Sequence, residues 1–483
     1  MMPRPPRSVP LALALCAAAC GSDEHVDPVV DATAPDAAVD AAPGVDAPPY
    51  VAPTPFPVAL SAAGPDQLHA AAAGPGGTFY VAGFAAATVA GPRLVTVVKL
   101  TAAGALDTTF GGGDGVATTD IDFRGGLGEI GLATQPDGKL IISATIASAA
   151  DAADRDVVVA RLDTTGALDP TFGDAGKRVL DLNTAHDTGT ALAGLDAARG
   201  VAIGPAGVIY VYAQSRAEGT TSGGAPRTDV DLTVAKLTAA GAVDTSFGGG
   251  DGTFTLDLQN VSEVARGINV LADGSVIATG YANTPGLGSV QPVIFKLSSA
   301  GELVSAFATG GVFHDTVLAT QTEIYNVAIH GNHLVSAGYG RATGTQNDWV
   351  SMRFDATTGA RDTTWGGAAN GVVLFDPSGM MIGDNCRNAV GLPGGRTLLV
   401  GSAGPNNLPE QDAAFAVLSA TGTLDPAFGD GVHLYQLGAN GNDAFWGGAV
   451  SGGNAIAVGF KGGGATQTET VNDDAWAVII PLP

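Results

Sequence analysis

Seven carboxylic acids, Asp66, Glu129, Asp196, Glu263, Glu323, Asp384 and Asp443, recur along this 483-residue chain, each 9 to 11 residues ahead of a turn. Close to this position stand side chains that change from copy to copy: His69, Arg199, Arg266, Tyr325, Arg387 and Trp446. A residue present in every copy has first a structural role, and the acids are expected to bond the backbone of a neighbouring copy. Residues that vary at one place are better candidates for recognition. Three guanidiniums beside two large aromatics can grip a carboxylate, a phosphate or the face of a sugar. Two readings compete. In one, each Arg pairs with its own acid and contributes no more than about 1 kcal/mol, as exposed pairs do; in the other, the six side chains form a ligand-binding ring. Acids such as Asp384 and Asp443 also admit hydrolase or lyase chemistry, with one carboxyl giving a proton and the other taking one.

The elements that must position these residues come from one phrase repeated six times, at Phe110, Phe172, Phe247, Phe307, Trp365 and Phe428, at intervals of 62, 75, 60, 58 and 63 residues. Each copy is an apolar strand ending in Lys/Arg-Leu or its equivalent, then Gly, then Leu-Asp-x-x-Phe-Gly. Ahead of it lie two apolar runs joined by a turn such as Pro136-Asp137-Gly138, Asp273-Gly274, Gly394-Gly395 or Gly452-Gly453, a strong hairpin signal. Four antiparallel strands per repeat of this length describe a propeller blade. The first strand of each copy is rich in Ala and Gly, as strands crowding a central axis must be, and later strands carry Val, Ile, Leu and Phe.

Counting strands sets the blade number. The hairpin and the third strand each occur seven times, ending with 474–480, but the fourth strand follows only six times. Phe56 to Leu60 lies where the missing strand belongs. The fold class is therefore all-β: a seven-bladed propeller of four-stranded antiparallel blades spanning 56–483, with 56–60 pairing to 474–480. Such closure leaves no blade edge open to aggregation.

Segments 140–180 and 232–252 resemble the delta-60 repeat of bacterial secreted proteins, and the resemblance covers about 64–483. It departs at Val304, which replaces the Asp, at Ala308, which replaces the Gly, and at Trp365, which replaces the Phe. The resemblance implies an envelope-associated repeat protein, without a defined ligand or activity. Residues 1–19, with Arg4 and Arg7 ahead of an apolar run too short to span a bilayer, are similar to a bacterial lipoprotein signal in which Ala17-Ala18-Ala19-Cys20 stands at the lipobox. That resemblance implies lipidation of Cys20, a membrane anchor, and an outer-membrane or surface location. Residues 20–55 are Ala, Asp, Pro and Val with few large side chains, the composition of a disordered tether.

Other chemistry is poorly supported. Asp+Glu 47 against Lys+Arg 22 gives a net charge of −25 with the acids dispersed, which excludes a phosphate-backbone partner. No G-x-S-x-G, H-E-x-x-H or CxxC is present, and Gly359 to Trp365 spans six residues where sialidase-like propellers place their aromatic three beyond the Gly. Asp107, Asp169, Asp244, Asp362 and Asp425 have the oxygen donors for Ca²⁺, but Asx-turn bonding is the better account of an Asp in nearly every repeat. No cofactor or metal is required. The expected partner is a protein or polysaccharide, bound by a non-enzymatic module.

Overall fold

The Val-, Ile- and Leu-rich runs form strands because β-branched side chains suit a pleated surface, and here both faces of that surface are covered. Leu140–Ala147, for example, is buried at six consecutive positions. The computed structural model describes residues 50–483 except 184–194, 218, 221–223, 225–226, 259–262, 285–287, 345–346, 380–382, 405–410, 430, 439–440 and 463–472. The expected lipidation site at Cys20, the expected signal segment and the expected tether up to residue 49 lie outside the described residues.

The strands make seven antiparallel sheets whose order follows the chain from the axis outward. Blade two is typical, with Ile130–Thr134, Leu140–Ala147, Arg155–Leu162 and Lys177–Leu180. The other inner strands are Asp66–Ala73, Ala197–Ile203, Glu263–Val270, Gln321–His330, Asn385–Gly391 and Ala444–Ser451. In blade five the third strand is broken into Asp348–Ser351 and Arg353–Asp355, where Met352 N–H bonds the Ser336 hydroxyl at 2.9 Å instead of a ladder carbonyl. Blade seven is completed from the other end of the chain. Phe56 pairs with Ala477 and Pro57 with Trp476, and Val58 N–H donates to the Ala475 carbonyl at 2.8 Å.

The apolar core is cut into seven slabs, one between each pair of neighbouring blades. What holds them in register is the repeated phrase. Its aromatic sits in a seat left by the phrase's Gly in the next blade. A Cβ on Gly166 would lie 2.9 Å from the Phe110 ring, on Gly241 2.8 Å from Phe172, on Gly301 2.9 Å from Phe247, on Gly359 3.1 Å from Phe307 and on Gly422 2.6 Å from Trp365. At closure Phe56 fills the seat of Gly104, at 2.5 Å. Beside each of the first five seats the residue after the aromatic donates its N–H to the carbonyl before the Gly, at 2.7 to 3.0 Å: Gly111 to Thr165, Gly173 to Ala240, Gly248 to Ala300, Ala308 to Thr358 and Gly366 to Thr421.

The Lys/Arg and the Asp of the phrase finish the joint. Lys99 reaches Asp107 at 2.9 Å, Arg161 reaches Asp169 at 2.9 Å, Lys236 reaches Asp244 at 3.0 Å and Arg353 Nε reaches Asp362 at 2.9 Å. Several of these cations also donate to a carbonyl of the next blade: Arg161 to Ala239 at 2.7 Å, Lys236 to Ser299 at 3.1 Å and Arg353 to Ala420 at 3.3 Å. In blade four, where Val304 replaces the Asp, Lys296 keeps only the carbonyl, Ala356, at 2.8 Å. The other carboxylate oxygen of the Asp caps its own turn, as at Asp107, which accepts from Thr109 N–H and hydroxyl at 3.1 and 2.7 Å. These aspartates are turn residues with their oxygens occupied.

Phe428 meets no such Gly among the described residues. It meets Tyr50 instead, at 5.5 Å between ring centroids, and the Tyr435 hydroxyl donates to the Pro53 carbonyl at 2.9 Å. The tether composition extends to residue 55, whereas Tyr50 and Pro53 pack on blade six. A large aromatic at Tyr50 is the one signal of this in an otherwise Ala- and Pro-rich stretch.

The seat predicts a specific sensitivity. Gly241→Ala places a methyl against Phe172 at a backbone φ of 87° and is expected to lower stability by about 2–4 kcal/mol. Gly249→Ala, at φ 95° with open space around it, isolates the backbone cost of about 1–2 kcal/mol. Urea melts of the two variants test this; equal losses would show that the ring seat contributes nothing.

Candidate functional site

The six variable residues share one structural cause. The inner strand of each of their blades carries a register shift at that residue: at His69, Arg199, Arg266, Tyr325, Arg387 and Trp446. A bulge inserts a residue without a cross-strand partner and re-aims its side chain. Blade two pairs without a shift from Ile130 to Thr134 and contributes no such side chain. Its Gly128 instead makes room for the Trp446 indole, which a Cβ there would meet at 2.9 Å.

All six side chains line one cavity of about 480 Å³ on the axis, walled by inner-strand residues of all seven blades. The arginines and aromatics interleave. Arg387 Cζ lies 4.7 Å from the Trp446 ring centre and 4.9 Å from that of Tyr325, and Arg266 Cζ lies 4.2 Å from Tyr325. Arg387 also donates to the Tyr325 hydroxyl at 2.5 Å, and Arg266 to Tyr281 at 3.2 Å. Arg266 Nε, Arg387 Nε, Trp446 Nε1 and His69 Nδ1 are buried with no hydrogen-bond partner among the described residues. His69 Nε2 meets Gln67 Oε1 at 2.9 Å, while the Gln67 amide nitrogen faces Asp473 at 2.5 Å. That assigns the His69 proton to Nε2 and leaves Nδ1 as an acceptor. Burial, with Arg93 nearby, pushes the His69 pKa down to about 3, so the ring is neutral at physiological pH.

Below this ring runs a belt of amides that sequence reasoning missed. Asn269 donates to Asn326 at 2.8 Å, Asn326 to Asn388 at 2.7 Å, and Asn388 to the Trp446 carbonyl at 3.4 Å, linking blades four to seven along the channel wall. Asn326 and Asn388 directly follow bulged residues, so their recurrence was the available signal. His330 and His333 sit elsewhere, on a depression beside Trp365, and His330 Nε2 is 2.9 Å from the Thr397 hydroxyl.

No Asp or Glu is among the described lining residues of the cavity, although Glu129 and Glu323 lie behind it, Glu129 pairing with Arg199 at 3.4 Å and Glu323 attracting Arg266 and Arg387; the other five acids bond backbone. Asp66 accepts from Ala475 N–H of blade seven at 2.6 Å, and Asp196 from Leu182 N–H at 2.6 Å. Glu263 accepts from Leu258 N–H at 2.8 Å and Asp384 from Gly404 N–H at 2.9 Å. Asp443 accepts from Leu437, Gly438 and Gly462 N–H at 2.6, 3.0 and 3.0 Å. These bonds clasp chain near the blade crossovers, as a recurring acid should. The pairing of each Arg with its own acid is not what forms. Arg199 reaches Glu129 of the preceding blade at 3.4 Å, and Arg266 and Arg387 stack on aromatics, so these arginines are wall residues rather than exposed pairs.

Residues 135–172 match a family model described as a domain of unknown function (DUF5122) beta-propeller. No curated protein sequence matches the chain significantly. Among solved structures it is similar to the beta-propeller domain of the Trilobed protease from Pyrococcus furiosus, at 10% identity over 85% of this chain and 95% of that one, with TM-score 0.39. It is also similar to a polysaccharide lyase, ulvan lyase, at 11% identity over 85% and 94% with TM-score 0.43. A third is Sqt1 from Chaetomium thermophilum, at 11% over 89% and 100% with TM-score 0.42. At these values the likeness carries no argument about activity.

The acids predict a pH dependence. Burial is the main cause that raises Asp66 to about 6, Asp443 to about 7 and Glu263 to about 8. A carboxyl raised on folding stabilises fully below its unfolded value, and that stability is lost as pH rises through the folded value. Asp107 and Asp362, held near 2 mainly by bonds from Lys99 and Thr364 respectively, act oppositely and lose their contribution as pH falls toward 2. The melting temperature is therefore expected to peak near pH 4–5 and to decline toward pH 8. Glu263→Gln should flatten that decline. A wild-type melting temperature level from pH 5 to 8 would contradict the assignment.

Proposed function

We propose that this chain is an envelope-anchored lipoprotein of the delta-60 repeat type, a non-enzymatic module that binds an anionic polymer or glycan at its channel mouth. In this reading Arg199, Arg266 and Arg387 meet the anionic groups and Trp446 meets a sugar face. The supporting observation is the lining. Three guanidiniums line a cavity with no Asp or Glu among its described lining residues; Arg199 has Glu129 behind it, and Arg266 and Arg387 each keep a buried Nε with no hydrogen-bond partner among the described residues. Guanidinium N–H groups that face this space can donate charge-assisted bonds to an incoming anion. The hydrolase or lyase reading asks for a pair of acids in the cavity, whereas Asp384 and Asp443 accept backbone N–H bonds outside its described lining. That distribution favours binding.

Titration calorimetry with polygalacturonate, heparin and neutral dextran tests the site. The acidic polymers should bind and dextran should not. Arg266→Gln and Arg387→Gln should each weaken binding about tenfold, the size of a lost charge-assisted bond, and cost about 1–2 kcal/mol of stability through lost stacking. Variants that unfold early yet bind normally would reduce the ring to a structural role.

The address is supported by Arg4 and Arg7, the short apolar run and Cys20, followed by a tether that would hold the body off the membrane. Acyl chains on Cys20 would supply the anchoring free energy. Cys20→Ser should move the protein from the membrane fraction to the soluble or unprocessed fraction. A wild-type protein recovered soluble with a free Cys20 thiol would contradict the anchor.

A further inference from the structure

Three carboxylates meet where blade two joins blade three. Asp156 lies at the head of the third strand of blade two, Asp181 follows its outer strand, and Asp196 precedes the inner strand of blade three. Val157 and Leu180 form the last rung of the strand pair, and Asp156 and Asp181 are the next residues beyond it. One oxygen from each of the three lies within 4.8 Å of the other two. Ca²⁺ binds oxygens at about 2.3–2.6 Å, so oxygens up to about 5 Å apart can share one ion.

Among the described residues no cation pairs with these carboxyls, although Asp196 accepts from Leu182 N–H and Asp156 from the Ser148 hydroxyl. Asp156 and Asp196 are 4% and 1% exposed, and Asp156 Oδ1 and Asp196 Oδ1 are buried with no hydrogen-bond partner among the described residues. Arg155, adjacent in the chain, turns its guanidinium to the Ala152 and Asp154 carbonyls, at 3.5 and 3.1 Å. Buried carboxylates without a counter-charge are strongly disfavoured.

The next blade shows what belongs in such a place. Leu232 and Leu256 form the equivalent last rung, flanked by Asp231 and Asp257. There the Arg227 guanidinium donates to Asp231 at 3.2 Å, to Asp257 at 2.8 Å and to Asp229 at 3.1 Å. Arg227 stands four residues before Asp231; four residues before Asp156 stands Ala152. Blade five repeats the arrangement with Asp348, Asp376 and Asp384 beyond the rung of Trp349 and Phe375. Both oxygens of Asp384, however, accept protein donors, Gly404 N–H at 2.9 Å and Ser378 N–H at 3.4 Å. The unsatisfied triad is the one in blade two.

We propose that Asp156, Asp181 and Asp196 bind one Ca²⁺ ion, which neutralises this junction as Arg227 neutralises the next. The ion takes no part in the cavity on the axis and ties the outer edge of blade two to the start of blade three.

Equilibrium dialysis and thermal melting of the full-length chain test the proposal. At about 2 mM Ca²⁺ the chain is expected to bind one ion and to melt about 2–4 °C higher than in EDTA. Asp181→Asn, at an exposed position where folding is not at stake, should abolish both effects, and Asp348→Asn should leave both intact. Retention of no ion, an EDTA-insensitive melt, Asp181→Asn that still binds, or loss on Asp348→Asn instead would each overturn the assignment.

Discussion

The joint between blades is the interaction on which the rest depends. Each sheet is buried on both faces and packs on its neighbours mainly through apolar side chains. An apolar slab alone is non-directional and would let blades slide or tilt. The aromatic in its glycine seat, the backbone bond beside it and the cation reaching the next turn turn that contact into a register, and each buried ring adds about 1.5–3 kcal/mol. The phrase is thus a joint written once per blade. At Phe428 Tyr50 covers the ring in place of a Gly seat, and at the ring closure Phe56 fills the seat of Gly104.

A rigid ring of this kind lets the axis carry irregular structure. Ladder bonds lost at six inner-strand bulges would loosen an isolated sheet, but each inner strand is held between two neighbours as well as by its own hairpin. The bulge is what separates the wall from the site. Residues on either side of it keep the ladder, and the extra one turns to the channel. Since the ladder no longer dictates that residue's type, it is free to differ from blade to blade.

Strand count, closure and the core aromatics were legible because they depend on local patterns: alternation, turn dipeptides and the recurring phrase. That six variable residues would come together was legible for a related reason, since departure from a repeat is visible against it. The bulge that re-aims them was not legible, because it is defined by the pairing of two strands. The partners of the seven acids were not legible, because Asp66 meets Ala475 and Arg199 meets Glu129 only once blades lie side by side. Asp156 and Asp181 are similarly distant in sequence and are joined by one rung of strand pairing, so spacing alone gave no hint of a triad. Tyr50 was hidden by the composition around it.

The use of positive charge argues for the cavity as the place where this protein meets something else. The sequence holds 47 acids and 22 Lys and Arg, so a cation has no shortage of carboxylates to pair with. Lys99, Arg161, Lys236 and Arg353 are committed to the joints and Arg227 to its aspartates. Arg266 and Arg387, in contrast, make no ion pair among the described residues and are held by aromatic rings. Stacking orients each guanidinium, and the one carboxyl whose field reaches both, Glu323, is shared between them, which leaves net positive charge in a wall where electrostatic attraction is stronger than at the surface. The surrounding body is strongly negative, and its field is screened beyond about 8–10 Å at physiological salt. An anion is therefore repelled by the body at long range and attracted at the channel mouth at short range, a combination that disfavours loose surface association and rewards only a group small enough to enter.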